Sequence, residues 1–192
     1  MPLSPSRALL LLAALTALAL GTRTARAQEP ITFKAADGVV VHADRYGAGG
    51  RRGIVLAFHR AGSNRGEYDT IAPRLVRDGF EVIAVDQRSG GTLFGRQNET
   101  ARAYHGGGGY MAALPDLEAA LRFAAESAAG RPIVVIGSSY SASLALVLAS
   151  HHPEIAAVAV FSPGEYLGSV SVRAAAARVT VPLFAASAPD PE

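Results

Sequence analysis

Residues 133–148 constrain the fold more tightly than any other stretch of this chain. Ile133-Val134-Val135-Ile136 is an unbroken apolar run opened by Pro132, which is how a strand buried on both faces reads. Ala142 to Leu148 is small and apolar, as in a helix packed tightly onto a sheet. Only Gly137-Ser138-Ser139-Tyr140-Ser141 lies between them, so strand must turn into helix almost at once.

A turn that sharp strains its central residue and admits only small side chains two places to either side. Ser139 occupies the apex, with Gly137 and Ser141 at the flanks. The arrangement is the Gly-x-Ser-x-Gly pattern with serine in its last place. Between an apolar strand and an Ala/Leu helix, it marks Ser139 as a candidate nucleophile.

The N-terminus reads as an export signal over residues 1–27. Arg7 supplies positive charge, Ala8 to Leu20 is apolar, and Ala25-Arg26-Ala27 offers a small-x-small cleavage site before Gln28. The apolar run is short of the roughly 20 residues a membrane span needs. The expectation is a periplasmic or secreted protein with no membrane attachment after cleavage and one domain over residues 28–192. Of the 18 basic residues, Arg7, Arg23 and Arg26 fall in the signal; 15 remain against 16 acidic residues, a net charge of −1. That balance gives no case for nucleic acid. With no cysteine and 49% hydrophobic residues, stability rests on a packed core rather than disulfides.

Ile31 to Lys34 and Val39 to Ala43 read as strands joined at Asp37-Gly38. Further strands are predicted over Gly53–Phe58, Phe80–Val85, Ile155–Phe161 and Val181–Ala186. Helices are predicted over Glu67–Arg77, Pro115–Ala128 and Val172–Ala177, and the glycine-rich connection before Pro115 reads as loop. This alternation predicts an α/β chain: a mostly parallel sheet with helices on both faces. His59, Asp86, Ser139, Ser162 and Asp190 each follow a strand, so they gather on one rim.

With those residues in view, the sequence resembles the α/β-hydrolase superfamily, and within it small exported dienelactone-hydrolase-like members, over Ile31 to Glu192. The carriers are Phe58-His59-Arg60-Ala61-Gly62, Val85-Asp86-Gln87-Arg88-Ser89-Gly90, Gly137-Ser138-Ser139-Tyr140-Ser141 and Ser187-Ala188-Pro189-Asp190. The resemblance implies acyl transfer, with Ser139 as nucleophile and Asp190 as the triad acid. It implies an oxyanion hole from the backbone N–H groups of Tyr140 and of Arg60 or Ala61. The substrate implied is a small carboxylic ester or lactone, and no cofactor or metal is called for.

The family pattern places its histidine after an eighth strand, whereas this sequence runs two residues past Asp190. The expectation is therefore a sheet whose last strand and helix are missing, C-terminally incomplete and inactive or poorly active. Under that reading the chain is a hydrolase fold lacking its general base. Substitute bases are His59, whose usual part is shaping the oxyanion loop, and His105, in the glycine-rich loop. His151 and His152 lie about 18 Å from Ser139 at the far end of the same helix. Asp86 and Arg88 read as a loop-bracing pair, Asn98-Glu99-Thr100 as a chance glycosylation sequon, and Glu165 with Tyr166 as residues at the pocket mouth. A periplasmic ligand-binding protein of other design is disfavoured for want of a second lobe.

Overall fold

The computed structural model describes residues 28–187. The export signal and Asp190 lie outside the described residues.

A seven-stranded sheet organises the chain. Its strands are β1 (Glu29–Lys34), β2 (Val40–Tyr46), β3 (Gly53–Phe58), β4 (Phe80–Val85), β7 (Ile133–Ser138), β8 (Ile155–Phe161) and β9 (Leu183–Ala186), in the order β1-β2-β4-β3-β7-β8-β9. β2 pairs antiparallel with both β1 and β4, and every later pairing is parallel. β3 and β7 lie side by side at the centre, in register from Ile54 opposite Ile133 to Phe58 opposite Gly137. All six residues of β3 are buried, which is why its sequence lacks the alternation of a half-exposed strand.

Among the described residues the α-helices are α1 (Ala72–Arg77), α2 (Glu99–Ala103), α3 (Leu114–Ala128), α4 (Tyr140–Ala149) and α5 (Val172–Ala176). Ile54, Leu56 and Phe58 point to one face of the sheet, where Leu117 and Leu121 of α3 and Leu144 and Leu148 of α4 complete the larger core. Val55, Ala57, Val82 and Ala84 point to the other, against Tyr68 and Ala72. Every residue of α4 is buried, so a helix apolar all round its circumference is what its position demands. No helix among the described residues is long and apolar enough to cross a membrane.

The expectation of a sheet without its last strand and helix is corrected here. β9 closes the sheet, paired parallel with β8 from Val158 opposite Leu183 to Phe161 opposite Ala186. The helices α4 and α5, which precede it in the chain, are both formed. The expectation rested on comparing the end of the sequence with a family pattern, whereas four residues of parallel pairing suffice to add an edge. On the α1 side of this edge, Phe161 and Phe184 stay exposed, their rings 5.9 Å apart.

The glycine-rich connection is more structured than its composition suggests. It holds a two-stranded hairpin, β5 (Thr92–Leu93) and β6 (Arg96–Gln97), then α2, then a 3-10 turn over Tyr110–Ala113. Elements of two to five residues are too short to leave a periodic trace. The helix expected over Glu67–Arg77 is split into a 3-10 turn at Arg65–Tyr68 and α1.

Candidate active site

The turn after β7 has the geometry its sequence requires. Ser139 sits at φ 57° and ψ −123°, in the positive-φ region that non-glycine residues occupy at a cost of about 1–3 kcal/mol. Gly137 is obligatory here: a Cβ on it would lie 2.5 Å from the Ser141 carbonyl oxygen and 2.7 Å from the Ala142 nitrogen. At the other flank Ser141 is buried, its hydroxyl 2.7 Å from the Phe58 carbonyl and accepting the Ser138 N–H at 2.9 Å. Serine is therefore not merely small enough for this place. It ties the turn to the end of the neighbouring strand.

Ser139 is held from behind, its N–H donating to the Phe161 carbonyl at 2.8 Å. Its own carbonyl accepts from Ala142 at 3.0 Å and Ser143 at 3.3 Å, opening α4. The N–H groups of Tyr140 and Ser141, in the first turn of that helix, are left without an acceptor among the described residues. The helix dipole adds positive potential at the same point.

The loop after β3, the strand beside β7, carries another free donor. The Arg60 N–H is already engaged, donating to Glu67 Oε2 at 3.2 Å. The Gly62 N–H donates to the Ser89 carbonyl at 3.2 Å. Between them, the Ala61 N–H has no partner among the described residues. Of the two donors expected from sequence, Ala61 is the one free to meet an oxyanion.

His59 is fully buried, and both of its ring nitrogens are committed. The Gln87 backbone N–H donates to Nε2 at 3.1 Å, so Nε2 carries no proton. Nδ1 must then carry it, donating to the Arg60 carbonyl at 2.7 Å. The Asn98 amide packs 3.0 Å from Nε2 as a second donor. Burial, opposed only in part by these bonds, depresses the ring's pKa to about 4. His59 thus braces the loop after β3 and has no ring nitrogen left to take a proton from Ser139. His105 is exposed in the loop ahead of Tyr110 and makes no hydrogen bond among the described residues.

Two carboxylates brace the rim, each with partners distant in sequence. Asp86 pairs with Arg65 and accepts the Arg65 N–H at 2.7 Å and the Glu99 N–H at 2.8 Å. Arg88 pairs with Asp116 of α3 at 2.7 Å and with Asp37 of the first hairpin, while its guanidinium lies 4.8 Å from the Tyr104 ring centre. Asp86 and Arg88 therefore do not brace one another, as their spacing suggested; Arg65 takes the one, and Asp116 and Asp37 take the other. Asn98 is buried with its amide hydrogen-bonded inward to the Gln87 carbonyl at 2.9 Å, which makes it inaccessible for glycosylation in the folded chain. Glu165 accepts the Val172 and Arg173 N–H groups at 2.8 and 2.9 Å. Those bonds hold its pKa low, Arg173 foremost, and they set it as an N-terminal cap of α5 rather than a pocket residue.

A cavity of about 420 Å³ is lined by Ala61, Gly62, Ser89, Gly90, Gly109 and Tyr110. It borders the free Ala61 N–H, and no charged side chain lines it. Tyr110 stacks on Tyr140 at 4.6 Å between ring centres. Of this lining, Ala61 is the residue the sequence marks as a candidate donor. Ser89 was missed, since a serine in a Ser-Gly-Gly run carries no signal beyond a turn.

Comparison with known proteins agrees with this geometry. The family described as serine aminopeptidase, S33, matches residues 49–190; the chain belongs to that family. No curated protein matches it. The esterase Pf2001 of Pyrococcus furiosus superposes with a TM-score of 0.64 at 20% identity, over 83% of this chain and 70% of that one. A thermostable carboxyl esterase from Bacillus coagulans gives 0.57 at 21% identity, over 70% and 44%. An α/β hydrolase from Novosphingobium aromaticivorans gives 0.52 at 27% identity, over 69% and 43%. The fold is that of the α/β hydrolases.

Proposed function

We propose that this member of the S33 serine aminopeptidase family hydrolyses small, uncharged carboxylic esters or lactones through an acyl-enzyme on Ser139. One observation carries the reading: Ser139 stands at a positive-φ apex, with the N–H of Tyr140 next to it and the N–H of Ala61 in the loop after the neighbouring β3 both unpaired among the described residues. Attack of the Ser139 hydroxyl on an ester carbonyl, its proton passing to the leaving alcohol through a base for which His105 is the remaining candidate, turns the carbonyl oxygen into an oxyanion, which those donors stabilise. Each such donor is typically worth about 2.7–4 kcal/mol in the transition state. Collapse of the tetrahedral intermediate expels the alcohol, and water then clears the acyl group.

Esters are preferred over peptides with a free amino terminus because of what lines the cavity. An α-ammonium group needs a carboxylate close by, and the lining offers glycine, alanine, serine and tyrosine alone. The nearby carboxylates are spent: Glu67 on Arg60, Asp116 on Arg88 and Asp86 on Arg65. The esterases among the similar structures are in keeping with this choice, and the resemblance to dienelactone-hydrolase-like proteins is what adds lactones. Asp190 as triad acid and export through residues 1–27 belong to the same proposal.

A second reading, a hydrolase fold without turnover, is favoured by a specific observation. The histidine ring held next to the elbow, His59, has both nitrogens occupied. Turnover of p-nitrophenyl acetate and butyrate, beside an aminoacyl p-nitroanilide, separates the readings. Ester hydrolysis abolished by Ser139→Ala supports the first; a folded protein that cleaves none of the three supports the second.

A further inference from the structure

Tyr110 is the one large side chain in the cavity lining; glycine, alanine and serine make up the rest. It opens the 3-10 turn that runs into α3, so its backbone belongs to an ordered element rather than to the glycine-rich loop before it. One face of its ring lies on Tyr140, with centres 4.6 Å apart and planes inclined by 25°. Tyr140 is buried and follows Ser139 directly, so this contact both steadies the Tyr110 ring and holds it against the elbow. Tyr110 nonetheless keeps 38% of its surface exposed, which leaves the second face of the ring open to the cavity it lines.

No other bulky side chain competes for that room. Gly62 and Gly109 line the cavity at φ 68° and 61°, and a Cβ on either would meet nothing within 4 Å. Their positive φ favours glycine at both places, so the space beside them stays free. One aromatic wall, small residues elsewhere and no charged lining, in about 420 Å³, suit a flat apolar group.

We infer that Tyr110 is a specificity determinant: the open face of its ring takes an aromatic ring of the substrate in an offset stack, as the other face takes Tyr140. The preferred class is then a small ester that carries an aromatic ring, in its acyl part or its alcohol, rather than a purely aliphatic one. Stacked rings gain more than the apolar area they bury, so a flat ring is favoured over a saturated ring of the same size. The choice of an ester rests on the hydrolase reading; the stacking does not, and its test needs no turnover.

The test measures binding to the full chain carrying Ser139→Ala, by nuclear magnetic resonance titration. Phenyl acetate is compared with cyclohexyl acetate, and methyl benzoate with methyl cyclohexanecarboxylate. The first pair puts the ring in the alcohol, the second in the acyl part. At least one aromatic ester is expected to bind about fivefold more tightly than its saturated counterpart, as one stacked pair allows. Adding Tyr110→Leu, which keeps an apolar side chain and removes the ring face, should erase that preference, while Tyr110→Phe should keep it. Should Tyr110→Leu fail to fold, Overhauser contacts between the ligand ring and the Tyr110 ring decide in its place, their presence supporting the stack and their absence overturning it. No preference, no binding of either aromatic ester, or a preference that survives Tyr110→Leu overturns the proposal. If the aromatic preference holds while the wild-type chain hydrolyses nothing, the hydrolase reading falls and this one stands; ester hydrolysis with no aromatic preference does the reverse.

Discussion

The Ser141 hydroxyl lies 2.7 Å from the Phe58 carbonyl, so the elbow after β7 is pinned to the last residue of β3. The same carbonyl accepts the Tyr68 hydroxyl at 2.8 Å. The turn that carries Ser139 and the loop that begins at His59 are thereby built on one shared atom.

Ser141→Ala is expected to destabilise the fold by about 1–2 kcal/mol, the cost of losing a buried hydrogen bond whose partner, the Ser138 N–H, is left unpaired. Ser141→Val should cost more, because the added methyl groups crowd the approach of α4 to β3. Urea denaturation of the two variants checks the order.

His59 makes stability depend on acid. Its pKa is about 4 in the fold against about 6.5 in an unfolded chain. Below pH 6.5 the unfolded chain binds a proton that the folded chain refuses. Stability should therefore fall as pH drops from about 6.5 to about 4, by about 3 kcal/mol from this group. The midpoint of urea unfolding against pH should show that slope, and His59→Gln should flatten it while lowering stability throughout.

Asp116→Ala should be among the most damaging substitutions away from the nucleophile. It strips Arg88, itself buried, of a carboxylate that accepts from Nε, Nη2 and the backbone N–H. Asp37 remains as a partner, so the loss is expected at about 3 kcal/mol, the lower end for a broken buried pair. Thermal unfolding with Asp116→Asn alongside separates the lost charge from the lost shape.

Core and edge should respond very differently to truncation. Leu144→Ala, in fully buried α4, is expected to cost about 2–5 kcal/mol. Phe184→Ala, on a side chain 59% exposed, is expected to stay within about 0.5 kcal/mol. Comparable losses at both would mean that something covers the β9 edge in solution.

What the sequence makes legible here is local. The runs Gly53–Phe58, Phe80–Val85 and Ile155–Phe161 are strands with the expected bounds, because unbroken burial writes itself into consecutive residues. The elbow is legible for the same reason. Partnerships over distance are not: Gln87 and Asn98, which fix the His59 ring, lie 28 and 39 residues from it. Nor does a pattern reveal that Asp116 faces Arg88, or that serine at position 141 reaches across to Phe58. His59, Asp86, Ser139 and Ser162 were readable as residues that follow parallel strands, but only hydrogen bonds say that Ala61, not Arg60, has its N–H free.

The most direct measurement is labelling of the folded full chain with a fluorophosphonate, followed by mass spectrometry of its peptides. The account predicts a single adduct on Ser139, absent from Ser139→Ala. A folded chain that takes no label, or takes it on another residue, would contradict it.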